Sequence, residues 1–267
     1  MTSIKELSNL GNRRALITGA NGALGRIFAD TLAELGADLI LVDLPSSDFR
    51  KHCDELFNRW GVSVDHYECD LAIQEQRIEL ISNLKIILSD LSILVNNAAL
   101  VGSADLKGWA VSFEEQSIDT WRKALEVNLT AVFELSQGLI PLLRKGEGAN
   151  IINISSIYGL HGPDWNLYTN TNMGNPAAYA ASKSGVIGLT RWLSTTVSPE
   201  VRVNSIAPGG ILRDQPEGFI QRYCEKVPLG RMGEVDDFRG ILAFLASDLS
   251  KYVTGQVFSV DGGWNIS

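Results

Sequence analysis

Short runs of aliphatic and β-branched residues alternate along the chain with longer segments in which apolar residues recur every three or four positions. The short runs have the length of buried strands, and the longer segments have the period of amphipathic helices. This alternation is typical of βαβ units on a parallel sheet. The predicted strands are Arg14–Thr18, Asp38–Val42, Ser63–Tyr67, Ile93–Asn96, Asn150–Ser155, Arg202–Ile206 and Val257–Val260.

Helix-length segments lie between these strands, so we predict one α/β domain over residues 1–267, a doubly wound parallel sheet of about seven strands with helices on both faces. Two stretches, Val101–Gln116 and Leu160–Pro176, fit neither pattern, and long irregular loops in compact domains are often functional. The predicted helices are Leu24–Leu35, Ser47–Trp60, Ile73–Leu88, Ser117–Leu143, Ala177–Thr196 and Val235–Ala246.

Composition narrows the class of protein. Hydrophobic residues make up 45% of the chain, which indicates a globular protein, and the net charge of -8 argues against a nucleic-acid partner. No apolar run has the length of a membrane span and the N-terminus lacks an apolar signal segment, so we expect a cytoplasmic protein that does not contact membranes. The widely spaced Cys53, Cys69 and Cys224 predict neither a disulfide framework nor a metal site.

A glycine-rich turn connects the first strand to the first predicted helix. Gly19 and Gly22 can supply the turn and the close approach that a pyrophosphate needs, and Gly25 lets the helix pack tightly on the strand. The helix N-terminus then faces the phosphates, although a plain tight turn is the alternative. The residues expected to contact a dinucleotide here are Gly19, Asn21, Gly22, Ala23, Leu24 and Gly25.

Asp43 ends the second predicted strand, eighteen residues after Gly25, close to where a Rossmann unit places an acidic residue on the adenosine ribose. A carboxylate accepts hydrogen bonds from a 2′-hydroxyl and repels a 2′-phosphate, so Asp43 favours NAD over NADP. NADP stays possible because Arg26 or Arg50 could pair with a phosphate, and a helix-capping role for Asp43 is the alternative.

Polar residues also follow the next two strands, in Cys69-Asp70-Leu71 and Asn96-Asn97-Ala98-Ala99. Open α/β sheets bind ligands at the carboxyl ends of their strands, but Asp and Asn also cap turns at such places.

Tyr179 and Lys183 are four residues apart in a predicted helix, so they lie on one face. A free phenol has a pKa of about 10, and a nearby cation stabilises its anion. Ser155 and Ser156 end the fifth strand, where a hydroxyl can bond the substrate oxygen during hydride transfer. Asn128, on the long helix, could pass protons through water. Taken alone, the tyrosine and lysine would be read as a solvated helix pair.

In combination, these residues resemble the single-domain branch of the short-chain dehydrogenase/reductase family over nearly the whole chain. The motifs that carry the resemblance, in the family's order, are the glycine turn, Asn96-Asn97-Ala98, Asn128, Ser156, Tyr179 with Lys183, Ala207-Pro208-Gly209 and Val260-Asp261-Gly262-Gly263. The resemblance implies a Rossmann-type fold and an NAD-dependent oxidoreductase acting on an alcohol or ketone. It also implies a homo-oligomer, a dimer or tetramer, that pairs through the helices beginning at Ser117 and Ala177.

The same resemblance implies a role for each site residue. Tyr179 would be the acid/base, Ser156 would orient the substrate oxygen, and Asn128 would complete a proton relay. Lys183 would bind the nicotinamide ribose and lower the tyrosine pKa. The remaining cofactor contacts would be Asp70 and Leu71 near the adenine, Asn97 and Ala98 on the adenosine side, and Pro208, Gly209 and Ile211 near the nicotinamide.

Three departures from the family pattern stand out. Ala23 replaces the middle glycine, while Gly22 fits the spacing of the longer sugar-nucleotide-modifying branch, for which only 84 residues after Lys183 are too few. Arg213 stands where many relatives carry a threonine that contacts the nicotinamide amide. The segment between Ser156 and Tyr179 is about ten residues longer than usual.

This insertion, around residues 160–178, is predicted to shape the substrate site. Its Asn, Asp and Trp content suits a polyhydroxylated ligand, with sugar rings stacking on Trp165, and the chain resembles family members associated with surface-sugar modification. We therefore expect a carbohydrate-derived substrate, with a surface or packing role for His161. The alternatives are an epimerase or dehydratase that retains its NAD, and a non-catalytic dinucleotide sensor.

Overall fold

A computed structural model describes residues 1–45, 48–101 and 106–267 of the chain. Its sheet has seven parallel strands in the order β3-β2-β1-β4-β5-β6-β7, which confirms the predicted doubly wound α/β fold. Each strand lies within two residues of its predicted bounds. The strands are β1 (Arg14–Thr18), β2 (Asp38–Asp43), β3 (Val64–Glu68), β4 (Ile93–Asn96), β5 (Asn150–Ile154), β6 (Arg202–Pro208) and β7 (Val257–Val260).

Helices connect the strands, and the described residues include two helices that the apolar period does not predict. The first, α1, is a five-residue helix that buries no side chain, and the second, α8, packs on the insertion. Predicted residue Ser47 and part of the 101–116 stretch lie outside the described ranges. The helices are α1 (Ile4–Ser8), α2 (Ala23–Glu34), α3 (Phe49–Trp60), α4 (Gln74–Ile87), α5 (Ile118–Leu125), α6 (Ala131–Leu143), α7 (Ala177–Thr196), α8 (Glu217–Lys226) and α9 (Arg239–Ala246).

Two predicted helices differ in detail from the structure. The long helix predicted from Ser117 is α5 and α6 joined by a π-helical turn, Glu126–Thr130, which inserts an extra residue into the helical repeat. The start of the last predicted helix, Val235–Phe238, is a 3₁₀ turn that precedes α9. Propensity and period do not distinguish these hydrogen-bonding patterns from a regular α-helix, so both corrections concern geometry and leave the element order unchanged.

Alternate residues of the central strands face two separate cores. Ala15 and Ile17 of β1 pack in the core that includes residues of α2, α3 and α9, while Leu16 faces the core with α4, α6 and α7. Burial on both faces explains why the strands appear in the sequence as continuous aliphatic runs. Within the described ranges, no helix combines the length and the apolar content needed to cross a bilayer.

The strand order reverses between β1 and β4, because the chain leaves β1 towards β2 and returns to the other side of β1 with β4. In open α/β sheets a crevice forms at this reversal, beyond the carboxyl ends of the strands. The polar residues that follow β1 to β6 are therefore brought to one edge of the sheet.

Candidate functional site

A cleft of about 760 Å³ lies at this edge, a volume suited to a small-molecule ligand. Three residues predicted for the site, Asn21, Gly25 and Asn128, do not line it. In the part of the chain that the structure describes, no group of three His, Cys, Asp or Glu side chains could hold a metal ion. The predicted residues that line the cleft are Gly19, Gly22, Ala23, Leu24, Asp43, Asp70, Leu71, Asn97, Ala98, Ser156, Tyr179, Lys183, Pro208, Gly209 and Ile211.

The glycine turn forms a cradle at one end of the cleft. Gly19 has a φ of +63°, and a Cβ atom there would lie 2.8 Å from the Ala98 Cα, so this position requires glycine. Gly22 precedes α2 and supplies no side-chain cap, which leaves the first amides of α2 available to an anion. The turn therefore fits the pyrophosphate of a dinucleotide.

Gly25 is the third residue of α2 and packs directly against the backbone of the glycine turn. A Cβ atom at this position would stand 2.0 Å from the Gly19 carbonyl oxygen. We expect Gly25→Ala to lower the free energy of unfolding by about 1–3 kcal/mol, as over-packing does, and to weaken NADH binding about tenfold. Chemical denaturation and NADH fluorescence titration measure both effects. Gly240→Ala is the control, because a Cβ there meets nothing within 4 Å; equal stability and affinity for the two variants would contradict the prediction.

Asp43 fixes the other side of the cradle. Its Oδ2 accepts a hydrogen bond from the Asn21 backbone N at 2.7 Å, and its Oδ1 accepts one from the Leu44 N at 2.8 Å. Each carboxylate oxygen has a second lone pair, so Asp43 can hold the turn and still accept a bond from a ligand hydroxyl. Asp43 therefore lies at the cleft where the sequence predicts the ribose contact.

The Asn21 side chain contacts His52 and Arg26. Its Oδ1 lies 3.0 Å from the His52 Nδ1 and 3.2 Å from the Arg26 Nη2, so Arg26 is engaged with the turn. Burial lowers the pKa of His52 to about 4, which leaves its ring neutral at pH 7. A neutral ring can donate to the Asn21 oxygen from Nδ1. The sequence offers no signal for His52, which belongs to no motif.

Asn97 joins the carboxyl ends of β4 and β1. Its Nδ2 donates to the Thr18 O at 2.9 Å and to the Gly19 O at 3.0 Å, and its backbone N donates to the Thr18 Oγ1. Asp70 similarly stabilises the turn after β3, since its Oδ1 accepts from the Ala72 N at 2.9 Å. Both residues line the cleft, and both have the turn-stabilising contacts that sequence reasoning left as an alternative.

Ser156, Tyr179 and Lys183 line the cleft beside the end of β5, two strands away from the glycine turn after β1. The buried Lys183 Nζ donates to the Ile154 O at 2.7 Å and lies 5.8 Å from the centroid of the Tyr179 ring. An ammonium group has three donors, so this single bond leaves donors for a ligand. Burial lowers the pKa of Lys183 to about 8. Helix α7 thus brings Tyr179 and Lys183 together beside the end of β5, as their spacing predicts.

Burial raises the pKa of the Tyr179 phenol above its ordinary value. Two groups act in the opposite direction with smaller effects, the Ser156 hydroxyl beside the phenol and the positive charge of Arg213. The resemblance implies that Lys183 lowers this pKa, whereas here Ser156 and Arg213 have that effect. At neutral pH the phenol is protonated and can donate a proton.

Asn128 lies in the π-helical turn and is 1% exposed. Its Oδ1 accepts from the Leu100 N at 2.7 Å, and its Nδ2 donates to the Leu100 O and the Ser182 Oγ, both at 3.1 Å. These bonds attach the segment after β4 to α7 and occupy the amide. A proton-relay role for Asn128 stays a prediction.

The insertion packs against α8 and contributes residues to the lining of the cleft. The Tyr168 hydroxyl lies 2.6 Å from the Tyr158 hydroxyl, and Tyr168, Met173 and Asn175 face the cleft. Trp165 is 60% exposed and does not line the cleft, so the predicted ring stacking on it is wrong for this geometry. His161 also lies outside the lining. Tyr168, Met173 and Asn175 belong to the insertion that the sequence analysis singles out, whereas the lining residues that it missed include Tyr158, Phe219, Tyr223 and Met232.

Two charged contacts anchor the insertion to α8. Lys226 donates to the Asp164 Oδ2 at 2.7 Å, and the Arg222 Nη2 donates to the Leu167 O at 2.9 Å and the Thr169 O at 2.8 Å. Apolar side chains from both segments, among them Leu167 and Phe219, are buried in one cluster. The insertion and α8 therefore form a joint wall of the cleft.

Known proteins match this arrangement over nearly the whole chain. A family model described as Enoyl-(Acyl carrier protein) reductase matches residues 19–265. The 3-oxoacyl-(acyl-carrier-protein) reductase FabG of Aquifex aeolicus is 31% identical over 259 residues, covering 95% of this chain and 98% of its own.

Two solved structures share the fold and show bound dinucleotides. The short chain dehydrogenase of Leptospira borgpetersenii with bound NAD+ has a TM-score of 0.83 and 31% identity, covering 100% of this chain and 97% of its own. The gluconate 5-dehydrogenase of Burkholderia cenocepacia in complex with NADP and tartrate has a TM-score of 0.85 and 28% identity, covering 99% and 100%.

Proposed function

The chain is an oxidoreductase of the short-chain dehydrogenase/reductase family, and from this premise we propose that it transfers a hydride between NAD(H) and an alcohol or ketone. One observation carries the proposal. Ser156, Tyr179 and Lys183, next to the end of β5, line the same cleft as the glycine cradle and Asp43, which follow β1 and β2. A dinucleotide bound along the cleft would have its pyrophosphate at the cradle and its nicotinamide near Tyr179.

The nicotinamide ring supplies or accepts the hydride when it is bound. The Tyr179 phenol donates a proton to the carbonyl oxygen during reduction and accepts one from the hydroxyl during oxidation. Ser156, beside the phenol, hydrogen-bonds the same substrate oxygen as its charge changes. The unused donors of the Lys183 ammonium bind ribose hydroxyls, while the Ser156 hydroxyl and the positive charge of Arg213 favour the phenolate.

Asp43 supports NAD as the preferred cofactor. Its carboxylate stands at the cleft next to the cradle, and a 2′-phosphate there would meet a negative charge. Arg26 donates to the Asn21 O and Oδ1, so its guanidinium is already engaged on the other side of the turn. One similar structure contains NAD+ and another contains NADP, so the similarity alone does not select a cofactor. The preference for NAD therefore rests on Asp43.

The substrate end supports a carbohydrate-derived alcohol or ketone. Tyr158, Tyr168 and Asn175 place hydroxyl and amide groups beside Ser156 and Tyr179, where they can bind several hydroxyls of one ligand. A similar structure is a gluconate 5-dehydrogenase. An absorbance screen at 340 nm, with NAD and NADP across polyols, sugar acids, steroid alcohols and 3-hydroxyacyl thioesters, tests the proposal. Turnover confined to the steroids or thioesters would remove the carbohydrate assignment.

The raised pKa of Tyr179 predicts opposite pH requirements for the two directions. Oxidation needs the phenolate, whose fraction below its pKa rises about tenfold per pH unit, whereas reduction needs the protonated phenol. We expect kcat/KM for alcohol oxidation to rise between pH 6 and 8 while kcat/KM for ketone reduction stays flat. Initial rates in both directions at constant ionic strength measure this; parallel profiles would contradict it.

We further propose a homo-oligomer that pairs through α5, α6 and α7. Exposed apolar side chains on these helices support the pairing, since Ile118 is 60%, Phe133 42% and Trp192 58% exposed. Light scattering coupled to size-exclusion chromatography tests it, and a monomer at micromolar concentration would overturn it.

A cytoplasmic location stays a prediction from the sequence.

A further inference from the structure

Arg213 lies in the loop after β6 and lines the cleft. The loop backbone is fixed, because the Arg213 N donates to the Gln215 Oε1 at 2.6 Å and the Gln215 Nε2 donates to the Ile211 O at 2.8 Å. The guanidinium is exposed, and none of the ion pairs found among the described residues involves Arg213 or its neighbour Asp214. Within the described ranges, Arg213 is therefore a cation without an ion-pair partner that lines the cleft.

This cation lies at the catalytic end of the cleft. Its charge is one of the two influences that lower the pKa of the Tyr179 phenol, and both residues line the same cavity. The cradle for the pyrophosphate follows β1, three strands away from β6 in the sheet, and there the uncapped N-terminus of α2 already provides donors. Arg213 is therefore positioned for an anionic group on the substrate.

Asn175, from the insertion, provides a second and independent indication of a ligand. It is 6% exposed and lines the cleft, yet neither its Nδ2 nor its Oδ1 has a hydrogen-bond partner among the described residues. Burial raises the pKa of the Tyr168 phenol, and the nearby Asn175 amide acts in the opposite direction with a smaller effect, although no bond of normal geometry joins the two side chains. A buried amide without partners is costly, so a ligand that bonds it is expected.

We propose that Arg213 and Asn175 bind a carboxylate of the substrate, so that this enzyme acts on a hydroxy acid or the corresponding oxo acid. A guanidinium matches a carboxylate with two parallel hydrogen bonds, and the Asn175 amide adds a further donor. The inference rests on the proposed function in one respect, that Tyr179 and Ser156 hold the reacting oxygen. The carboxylate then sits between the loop after β6 and the insertion, and its binding orients the hydroxyl at Tyr179.

The test compares acids with their primary amides, which keep the shape and lose the charge. The probes are gluconate, 4-hydroxycyclohexanecarboxylate and 3-hydroxybutyrate, each beside its amide, with NAD. We expect kcat/KM for the best acid to exceed that for its amide at least tenfold. Arg213→Gln is expected to reduce this acid-to-amide ratio about 10- to 100-fold, and Asn175→Leu to reduce it less. Arg144→Gln is the control, since Arg144 is exposed and outside the cleft.

Calorimetric titration of the same compounds into the NADH-loaded enzyme separates this inference from the proposed function. Acid binding that depends on Arg213, without turnover of any compound, would support the carboxylate site and overturn the proposed hydride transfer. An acid-to-amide ratio near one in the wild type, or absence of acid binding where neutral alcohols are oxidised, would overturn the carboxylate site. A weaker NADH affinity in Arg213→Gln, with an unchanged ratio, would also overturn it and assign Arg213 to the cofactor.

Discussion

Replacing Tyr179 with phenylalanine is expected to lower kcat by about 10²- to 10⁴-fold in both directions, the range that general acid–base catalysis contributes. The change removes one hydroxyl at the meeting point of Ser156 and Lys183 and keeps the ring that lines the cleft. NADH affinity should therefore stay within about twofold of the wild type. Single-turnover kinetics with the best substrate of the absorbance screen, together with NADH titration, measure the two quantities.

Tyr252→Phe is the matched control, because Tyr252 is fully exposed and lies outside the cleft. It should retain wild-type rates. A Tyr179→Phe enzyme that keeps more than a tenth of the wild-type kcat would show that another group transfers the proton. Equal thermal stability of the two variants excludes unfolding as the reason for lost activity.

Substitution of Asp43 by asparagine is expected to change the cofactor preference by more than about 10²-fold. A like-charge contact costs several kcal/mol, and about 1.4 kcal/mol corresponds to a factor of ten. The wild type should therefore favour NAD strongly in kcat/KM. Asp43→Asn removes the repulsion of a 2′-phosphate and retains the shape. It also replaces one acceptor for the Asn21 and Leu44 amides by a donor, so NAD binding should weaken as well.

The ratio of kcat/KM with NAD to that with NADP is the measurement, because it cancels any general damage to the cradle. Glu68→Gln is the control, since Glu68 is the register partner of Asp43 on β3 and does not line the cleft. A wild-type ratio below one would show that Asp43 does not select the cofactor. An unchanged ratio in Asp43→Asn would assign the selection to another group.

Most of the sheet could be predicted from the sequence because its inner strands are buried on both faces and so appear as aliphatic runs with clear ends. Helix α8 could not, although Phe219 and Tyr223 have the spacing of one helical face. That face is short, and it is buried by residues distant in sequence, among them Leu167 of the insertion and Trp264 near the C-terminus. Such a contact depends on tertiary structure, which local periodicity does not report.

The site likewise contains residues whose positions could be predicted from the sequence and residues whose contacts could not. The positions of Gly19, Asp43, Ser156 and Tyr179 follow from strand ends and helical spacing, and all of them line the cleft. The partners of a buried amide are not predictable in this way, because they depend on where distant backbone segments pass. Asn128 illustrates this, since its side chain bonds Leu100 and Ser182, twenty-eight and fifty-four residues away.

The wall built from the insertion and α8 has a consequence for how ligand preference can be exchanged between relatives. In this chain, Arg222 and Lys226 of α8 donate to a backbone carbonyl and to Asp164 of the insertion. If the insertion alone were grafted into another member of the family, it would lose both donors. The recipient would need compatible residues on its own α8 as well. We therefore expect relatives that differ in ligand preference to differ in both the insertion and α8. A chimeric enzyme should receive both segments from the same parent.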